Sequence, residues 1–261
     1  MFYSFIQMLN YRNTSLLFLG FVLVFIASEA FAYRAGLIAF AVLVGLYIFL
    51  LALGSANIKM NFYLKALAKG SPDEAKVALT FDDGPDAKTT EKLLEILEKN
   101  NIKSTFFCIG NKAKENESLI KKISEQGHLI GNHSWSHHFF FDFFLPGKMI
   151  REINATDAII EQITGSSVKF FRPPYGVTNP FLARALKKTG HLVIGWSLRT
   201  FDTTINPQQV IKIIDSKLHN GDIILMHDTT PETILILEDV IKLIRSRGFE
   251  IVSLEKLLEV G

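Results

Sequence analysis

The apolar positions of the chain follow one pattern up to about residue 56 and another beyond it. Residues 15–32 (SLLFLGFVLVFIASEAFA) and 35–54 (AGLIAFAVLVGLYIFLLALG) are almost continuously apolar. Each is near the ~20 residues that a membrane-spanning helix needs. Only Tyr33-Arg34 separates them clearly, so the pattern predicts a tight transmembrane helical hairpin. Glu29 falls near the end of the first span, where it can reach the interface. A cleaved signal peptide fits poorly, because two long apolar stretches follow a mostly uncharged start; a pair of buried core helices is the other alternative. A hairpin returns the chain to its starting side. Arg12 before it and Lys59, Lys65 and Lys69 after it outnumber Arg34 at the turn. That balance leans both ends, and hence the following domain, toward the cytoplasm. Residues 57–71 read as a short amphipathic connector lying on the bilayer surface.

Beyond Pro72, apolar runs of strand length recur at 77–81, 104–109, 129–132, 169–171, 192–196, 222–226 and 250–252. Between them, stretches such as 91–98, 118–125 and 149–163 carry apolar residues three and four apart, the helical spacing. Thr164-Gly165, Gly190, Gly221 and Gly248 fall where helices should stop. Strands alternating with helices predict a parallel sheet, and about seven such units predict an α/β fold of the distorted (β/α) barrel type. The expected organisation is a membrane anchor over 1–56, the connector over 57–71 and one catalytic domain over 72–261.

Composition alters this picture little. A formal net charge of +2, with no basic run interleaved with aromatics, excludes a nucleic-acid partner. The single cysteine, Cys108, excludes an intramolecular disulfide and sits in an apolar run as a core thiol.

Candidate chemistry gathers where parallel α/β folds place it, at the carboxyl ends of strands. Asp82-Asp83, His133, Arg172, Asp202 and His227 each follow an apolar run. Adjacent carboxylates at the end of a buried strand repel, and a divalent cation that takes one leaves the other as a base. Asp-Gly-Pro is also ordinary turn chemistry, so this cluster alone decides nothing. His133 and His137, four apart, would meet on one face of a helical turn and suit a metal of the zinc type. One carboxylate added to the pair gives a His-His-Asp site with open positions, for which zinc is the default and cobalt, nickel or manganese can serve.

Taken in order, the clusters at 80–84, 133–137, 172–175, Asp202 and 225–227 resemble the motifs of the polysaccharide deacetylases, carbohydrate esterase family 4. The resemblance runs from about Lys76 to the C-terminus and leaves out the hairpin. It implies a metal-dependent hydrolase that removes N-acetyl groups, less readily O-acetyl groups, from an amino sugar in a polysaccharide, peptidoglycan or lipid-linked glycan. By that resemblance Asp83, His133 and His137 hold the metal and Asp82 is the general base for the attacking water. The backbone N–H of Tyr175 helps hold the oxyanion, and His227 is the general acid. Arg172 pairs with Asp82, Asp202 orients His227, and Leu225 helps form the acetyl pocket. Arg199 and Thr203 stand where the family usually has an aspartate and a tryptophan, which bears on one pocket wall and on substrate choice.

His138 reads as a neighbour rather than a fourth ligand, and His128, His191 and His219 as structural or solvated. Asp86 suits turn duty, and Asp228 a helix cap. The run Phe139-Phe140-Phe141-Asp142-Phe143-Phe144-Leu145 either folds under the barrel as a satellite cluster or touches the bilayer or an apolar part of the substrate. A glycan-binding pseudoenzyme, a membrane scaffold, and a deformylase or deacetylase of a small amide are the competing functions. The expected partners are an acetylated amino-sugar glycan and the membrane bilayer.

Overall fold

A computed structural model describes residues 10–28 and 33–260. Glu29 and the rest of 29–32, the end of the first expected span, lie outside the described residues. Two apolar helices come first, α1 (Tyr11–Ala27) and α2 (Arg34–Ala56). Their packing is antiparallel: Phe18 stacks on Tyr47 at 4.1 Å, Phe25 on Phe40 at 5.2 Å, and the Ser15 and Tyr47 hydroxyls meet at 2.9 Å. Among the described residues only α2 is long and apolar enough to cross a membrane; α1 has 17 residues and falls short of that length. Both helices present most of their large apolar side chains outward, from Leu16 to Leu53.

The remaining strands are β1 (Ala66–Leu67), β2 (Lys76–Asp82), β3 (Thr105–Cys108), β4 (Leu129–Asn132), β5 (Phe170–Phe171), β6 (Leu192–Ile194), β7 (Leu198–Arg199), β8 (Ile223–His227) and β9 (Glu250–Ile251). They form one parallel sheet in the order β1-β6-β5-β4-β3-β2-β8-β7, with β9 also paired to β2. Because β6 and β7 are consecutive in the chain yet lie toward opposite edges of that order, the sheet curls round on itself as a barrel. This is the expected (β/α) barrel, with two strands that the apolar pattern does not reveal. One is β1, which corrects the reading of 57–71 as a surface connector: Ile58, Phe62 and Ala66 are buried, and Ala66–Leu67 pairs with β6. The other is β7, because the expected strand 192–196 stops at Ile194. The carbonyls of Ile194 and Gly195 turn to accept from the Arg172 guanidinium at 3.3 and 2.9 Å, and the ladder breaks there.

Helices α3 (Thr90–Lys99), α4 (Gly110–Glu115), α5 (Glu117–Glu125), α6 (Pro146–Thr164), α7 (Pro180–Thr189), α8 (Pro207–Lys217), α9 (Pro231–Ser246) and α10 (Leu254–Leu258) complete the chain. Their apolar spacing explains what they bury: Leu93, Leu94 and Leu97 of α3 and Ile236, Leu237, Val240, Ile241 and Ile244 of α9 enter one core with Phe81, Phe106 and Met226 of the strands. Cys108 belongs to that core, where burial pushes its thiol up. The last turn of α2 docks on the barrel, since a Cβ at Gly54 would come within 2.4 Å of the Phe62 ring. Ser55 Oγ donates to the Thr178 carbonyl at 2.6 Å, and Thr178 N–H donates to the Ser55 carbonyl at 3.0 Å. At the other end of the pair, Tyr11 N–H donates to the Phe62 carbonyl at 2.9 Å. The start of α1 and the end of α2 therefore both sit at the barrel.

Candidate active site

The carboxyl ends of β2, β4, β5, β7 and β8 surround a cavity of about 270 Å³. Asp82, Asp83, His133, His137, Tyr175, Leu225 and His227 line it, and Arg172 and Asp202 stand buried behind it. All nine candidate site residues are thus brought together.

Asp82 ends β2, and its Oδ1 accepts from Arg172 Nη1 at 2.6 Å. The same Nη1 donates to Thr80 Oγ1 at 2.9 Å, and the guanidinium lies 4.0 Å from the Phe107 ring centroid. A fully buried cation is tolerable here because the carboxylate, a hydroxyl, two backbone carbonyls and an aromatic face all receive it.

Asp83 turns the chain out of the sheet with φ 75°, a left-handed conformation uncommon for a residue with a Cβ. Lys112 Nζ, donating to the Asp83 carbonyl at 2.9 Å, helps hold it there. The Asp83 Oδ1 lies 3.5 Å from His133 Nε2 and 3.4 Å from His137 Nε2. These three ligand atoms all lie within 4.8 Å of one another.

His133 and His137 are not on a helical turn, which corrects the expectation from their spacing. They belong to a loop in which Ser134 (φ 64°) and His137 (φ 44°) are left-handed, and this bend brings the rings to 4.8 Å. The loop is pinned from two sides. The N–H groups of Gly110 and Asn111 at the start of α4 donate to the Ser134 and Trp135 carbonyls at 2.9 and 3.0 Å. Glu152 of α6 accepts from the Ser136 N–H at 2.8 Å and its hydroxyl at 2.9 Å.

The residues present fit a divalent cation. His133 Nδ1 donates to the Arg172 carbonyl at 2.7 Å, which leaves Nε2 to face Asp83 with its lone pair. Burial and the neighbouring His133 push His137 down to about 4, so this imidazole is neutral near pH 7. Burial alone would raise Asp83; the adjoining His133 and the nearby His137 and His227 outweigh that and hold it well below the usual carboxylate range. One carboxylate and two imidazoles converging on one point make a zinc-type donor set.

On the opposite wall, His227 ends β8. Its Nδ1 meets Asp202 Oδ1 at 2.9 Å, while Asp202 Oδ2 accepts from the His227 N–H at 2.8 Å and Thr233 Oγ1 at 2.6 Å. Burial lowers the His227 pKa, but the Asp202 contact and charge more than offset it and the net shift is upward. Tyr175 is left-handed (φ 57°) and its ring is half exposed at the mouth. Gly176 lets Trp196 close the wall, since a Cβ there would come within 2.2 Å of the indole. Arg199 and Thr203 also line the cavity, so the two departures from the family pattern face the same space as the chemistry.

Residues outside the site are plain in their roles. His138 Nδ1 accepts from the Phe140 N–H, His128 Nδ1 accepts from the Ser104 N–H, and His191 pairs with Asp157 at 3.2 Å. Asp86 accepts from Lys88 and Thr89 in a turn. Asp228 does not cap the following helix, whose N-cap is Thr230. It is buried against Gly84 and accepts from Thr90 Oγ1 at 2.7 Å, and burial pushes its carboxyl up to about 7.

Glu152 and Lys112 escaped the sequence reading because each acts through backbone geometry that no spacing reveals. Replacing Glu152 by alanine frees the histidine loop, and zinc affinity is expected to fall roughly 10–100-fold. Competition with a chelating dye measures it; unchanged affinity would mean that α4 alone fixes the loop.

The polysaccharide deacetylase family model matches residues 69–194. A peptidoglycan-N-acetylglucosamine deacetylase of Bacillus cereus is 33% identical over 210 residues, covering 76% of this chain and 76% of the relative. Peptidoglycan-N-acetylmuramic acid deacetylase PdaA of Bacillus subtilis is 31% identical over 202 residues, covering 76% of this chain and 74% of the relative. Among solved structures, a family pseudoenzyme from Bacillus anthracis superposes with a TM-score of 0.71 at 27% identity, over 75% of this chain and 69% of the other. With five motifs in order on one barrel and these similarities over three quarters of its length, the chain belongs to the polysaccharide deacetylases, carbohydrate esterase family 4.

Proposed function

We propose that this chain hydrolyses N-acetyl groups on an amino sugar of a glycan, in peptidoglycan, another polysaccharide or a lipid-linked form, with a divalent cation held by Asp83, His133 and His137. The observation that carries this reading is the convergence of that donor set, a carboxylate and a second imidazole on one cavity. Zinc suits the donors best. When bound, the cation supplies Lewis-acid polarisation of the acetamide carbonyl and acidifies the attacking water.

The chain's own groups do the rest. Asp82, fixed through Oδ1 by Arg172, keeps its second oxygen for the proton of the attacking water. The tetrahedral oxyanion takes a hydrogen bond from the Tyr175 backbone N–H. His227 gives its Nε2 proton to the departing nitrogen as the C–N bond breaks, leaving acetate and a free amine. Leu225, with the Trp196 indole, offers the apolar wall for the acetyl methyl.

The test is acetate release by the full chain in detergent from N-acetylglucosamine oligomers, after chelation and after zinc is restored. Zinc-dependent release supports the reading. A chain that binds zinc and the oligomer without releasing acetate would instead be a glycan-binding pseudoenzyme.

The raised pKa of His227 has a signed consequence. A general acid must be protonated, so the alkaline limb of kcat/KM follows the folded pKa of His227, which Asp202 raises. Asp202→Asn removes the charge and moves that limb to lower pH. An alkaline limb that stays in place would assign the proton to another group.

We place the chain in a membrane through α2, with α1 as its antiparallel partner, so that the N-terminus and the barrel lie on one side. The excess of Arg12, Lys59, Lys65 and Lys69 over Arg34 favours the cytoplasmic side. A reporter active only in the cytoplasm, fused after Gly261, decides the side.

A further inference from the structure

The aromatic run divides in a way that neither folding under the barrel nor reaching out describes alone. Phe141 is fully buried and Phe144 half-buried against α6 and α7, as a satellite cluster would have them. Phe139, Phe140, Phe143 and Leu145 face outward, with 73%, 54%, 80% and 67% of their surface exposed. Four large apolar side chains on one short loop are costly in water and mark a contact surface.

The loop is connected on both sides. Toward the chemistry, ring contacts run from His137 to Tyr175 at 4.7 Å, from Tyr175 to Phe139 at 6.4 Å, and on to Phe140 at 5.0 Å and Phe143 at 6.2 Å. Toward the helices, Phe143 and Phe181 share a mainly apolar groove with Ser55, in the last turn of α2. Asn179 Nδ2 donates to the Asp142 carbonyl at 2.6 Å, and the adjacent Thr178 carries the Ser55 hydrogen bonds. The apolar surface of α2 therefore continues across this groove onto the loop and reaches the mouth of the cavity. Charge is arranged to match. Lys148 lies over the Phe144 ring at 3.3 Å, as a cation bordering an apolar patch does at a headgroup boundary. Asp142 is the loop's one acid, and its side chain is half-buried rather than among the outward-facing residues.

We infer that Phe139, Phe140, Phe143 and Leu145 form an interfacial wedge that seats in the same bilayer as α2 and holds the cavity mouth at the membrane surface. The occupant is the headgroup and upper acyl region of a phospholipid leaflet, entered to the ~5–10 Å typical of monotopic elements. The inference rests on the membrane placement of α2 and deepens it: α2 fixes the barrel to the membrane, and the wedge fixes its orientation. Acetylated amino sugars within reach are then those presented at the bilayer surface.

The test uses the full chain in vesicles of phosphatidylethanolamine and phosphatidylglycerol, with an environment-sensitive fluorophore on one introduced cysteine. Cys108 is buried and does not compete for the label. Phe143→Cys and Leu145→Cys probe the wedge, Val42→Cys probes α2, and Ser246→Cys probes the exposed end of α9. Labels at 42, 143 and 145 should be quenched by doxyl-labelled phospholipids, with 143 and 145 responding to shallow positions and 42 to deeper ones. The label at 246 should respond only to aqueous iodide. Lipid quenching at 42 with only iodide quenching at 143 and 145 would overturn the wedge and leave the anchor standing. Iodide quenching at all four would overturn both. Concentration-dependent excimers of pyrene placed at 143, without lipid quenching, would assign the patch to a second copy of the chain instead.

Discussion

Asp82→Asn is expected to lower kcat for acetate release by about 10²–10⁴-fold, the contribution typical of a positioned general base. The substitution is nearly isosteric and the amide oxygen can still accept from Arg172, but it leaves that buried cation without its charge partner, so the thermal midpoint should fall. Zinc affinity should change little, because Asp82 lies beside the proposed ligand set of Asp83, His133 and His137 rather than in it. The informative result is therefore a split measured below the lowered thermal midpoint: zinc bound as in the parent chain, turnover lost. Activity within about tenfold of the parent would remove Asp82 from the proton transfer, since general-base contributions rarely fall so low. Loss of zinc together with turnover would mean that Asp82 ligates, and that the division of labour between the two adjacent carboxylates is the reverse of the one proposed.

The second large effect is on stability. Arg172→Met leaves the Asp82 carboxylate buried without its cation and the Ile194 and Gly195 carbonyls without a donor. Breaking a buried pair by removing one partner costs about 3–5 kcal/mol. For a chain of this size that corresponds to a thermal midpoint lowered by roughly 6–20 °C. Adding Asp82→Asn should recover part of the loss, because the stranded charge is gone, and the non-additivity of the pair measures their coupling. Arg172→Lys keeps a charge but not a fork that can serve a carboxylate, a hydroxyl and two carbonyls at once, so it should fall between. A midpoint shift of only a degree or two in Arg172→Met would show that the strand break at Gly195 does not depend on this side chain.

How far these features could be read without coordinates depended on the range over which each is encoded. The barrel was legible because strand and helix periods are local, and so were the helix ends at Thr164, Thr189 and Ser246. The convergence of Asp82, Asp83, His133, Arg172, Asp202 and His227 was legible because these follow apolar runs, and a parallel sheet gathers such ends. The break between β6 and β7 was not, because residues 192–196 read as one strand and the interruption comes from a guanidinium 22 and 23 residues upstream of the carbonyls it takes. The short β1 was hidden in a segment of mixed polarity after a long apolar helix. The histidine spacing suggested a helical turn, but the observed loop uses left-handed backbone at Ser134 and His137, a conformation that neither residue type announces. Asp228 misled for a similar reason: its place before a proline suits a cap, yet its partner is Thr90, far away in sequence.

The left-handed backbone has a thermodynamic corollary. Asp83, Ser134, His137 and Tyr175 all hold positive φ around one cavity, at a cost on the order of 1–3 kcal/mol each. The strain is concentrated where three loops from different strands must present atoms to one point. Lys112, Glu152 and the start of α4 hold those loops from outside, and the His133 ring on the Arg172 carbonyl ties two of them together. A cation held by Asp83, His133 and His137 would use part of its binding free energy in keeping these loops closed. Occupancy and local order would then form a single equilibrium, in which a chelator is expected to loosen the mouth of the barrel while the core beneath stays folded.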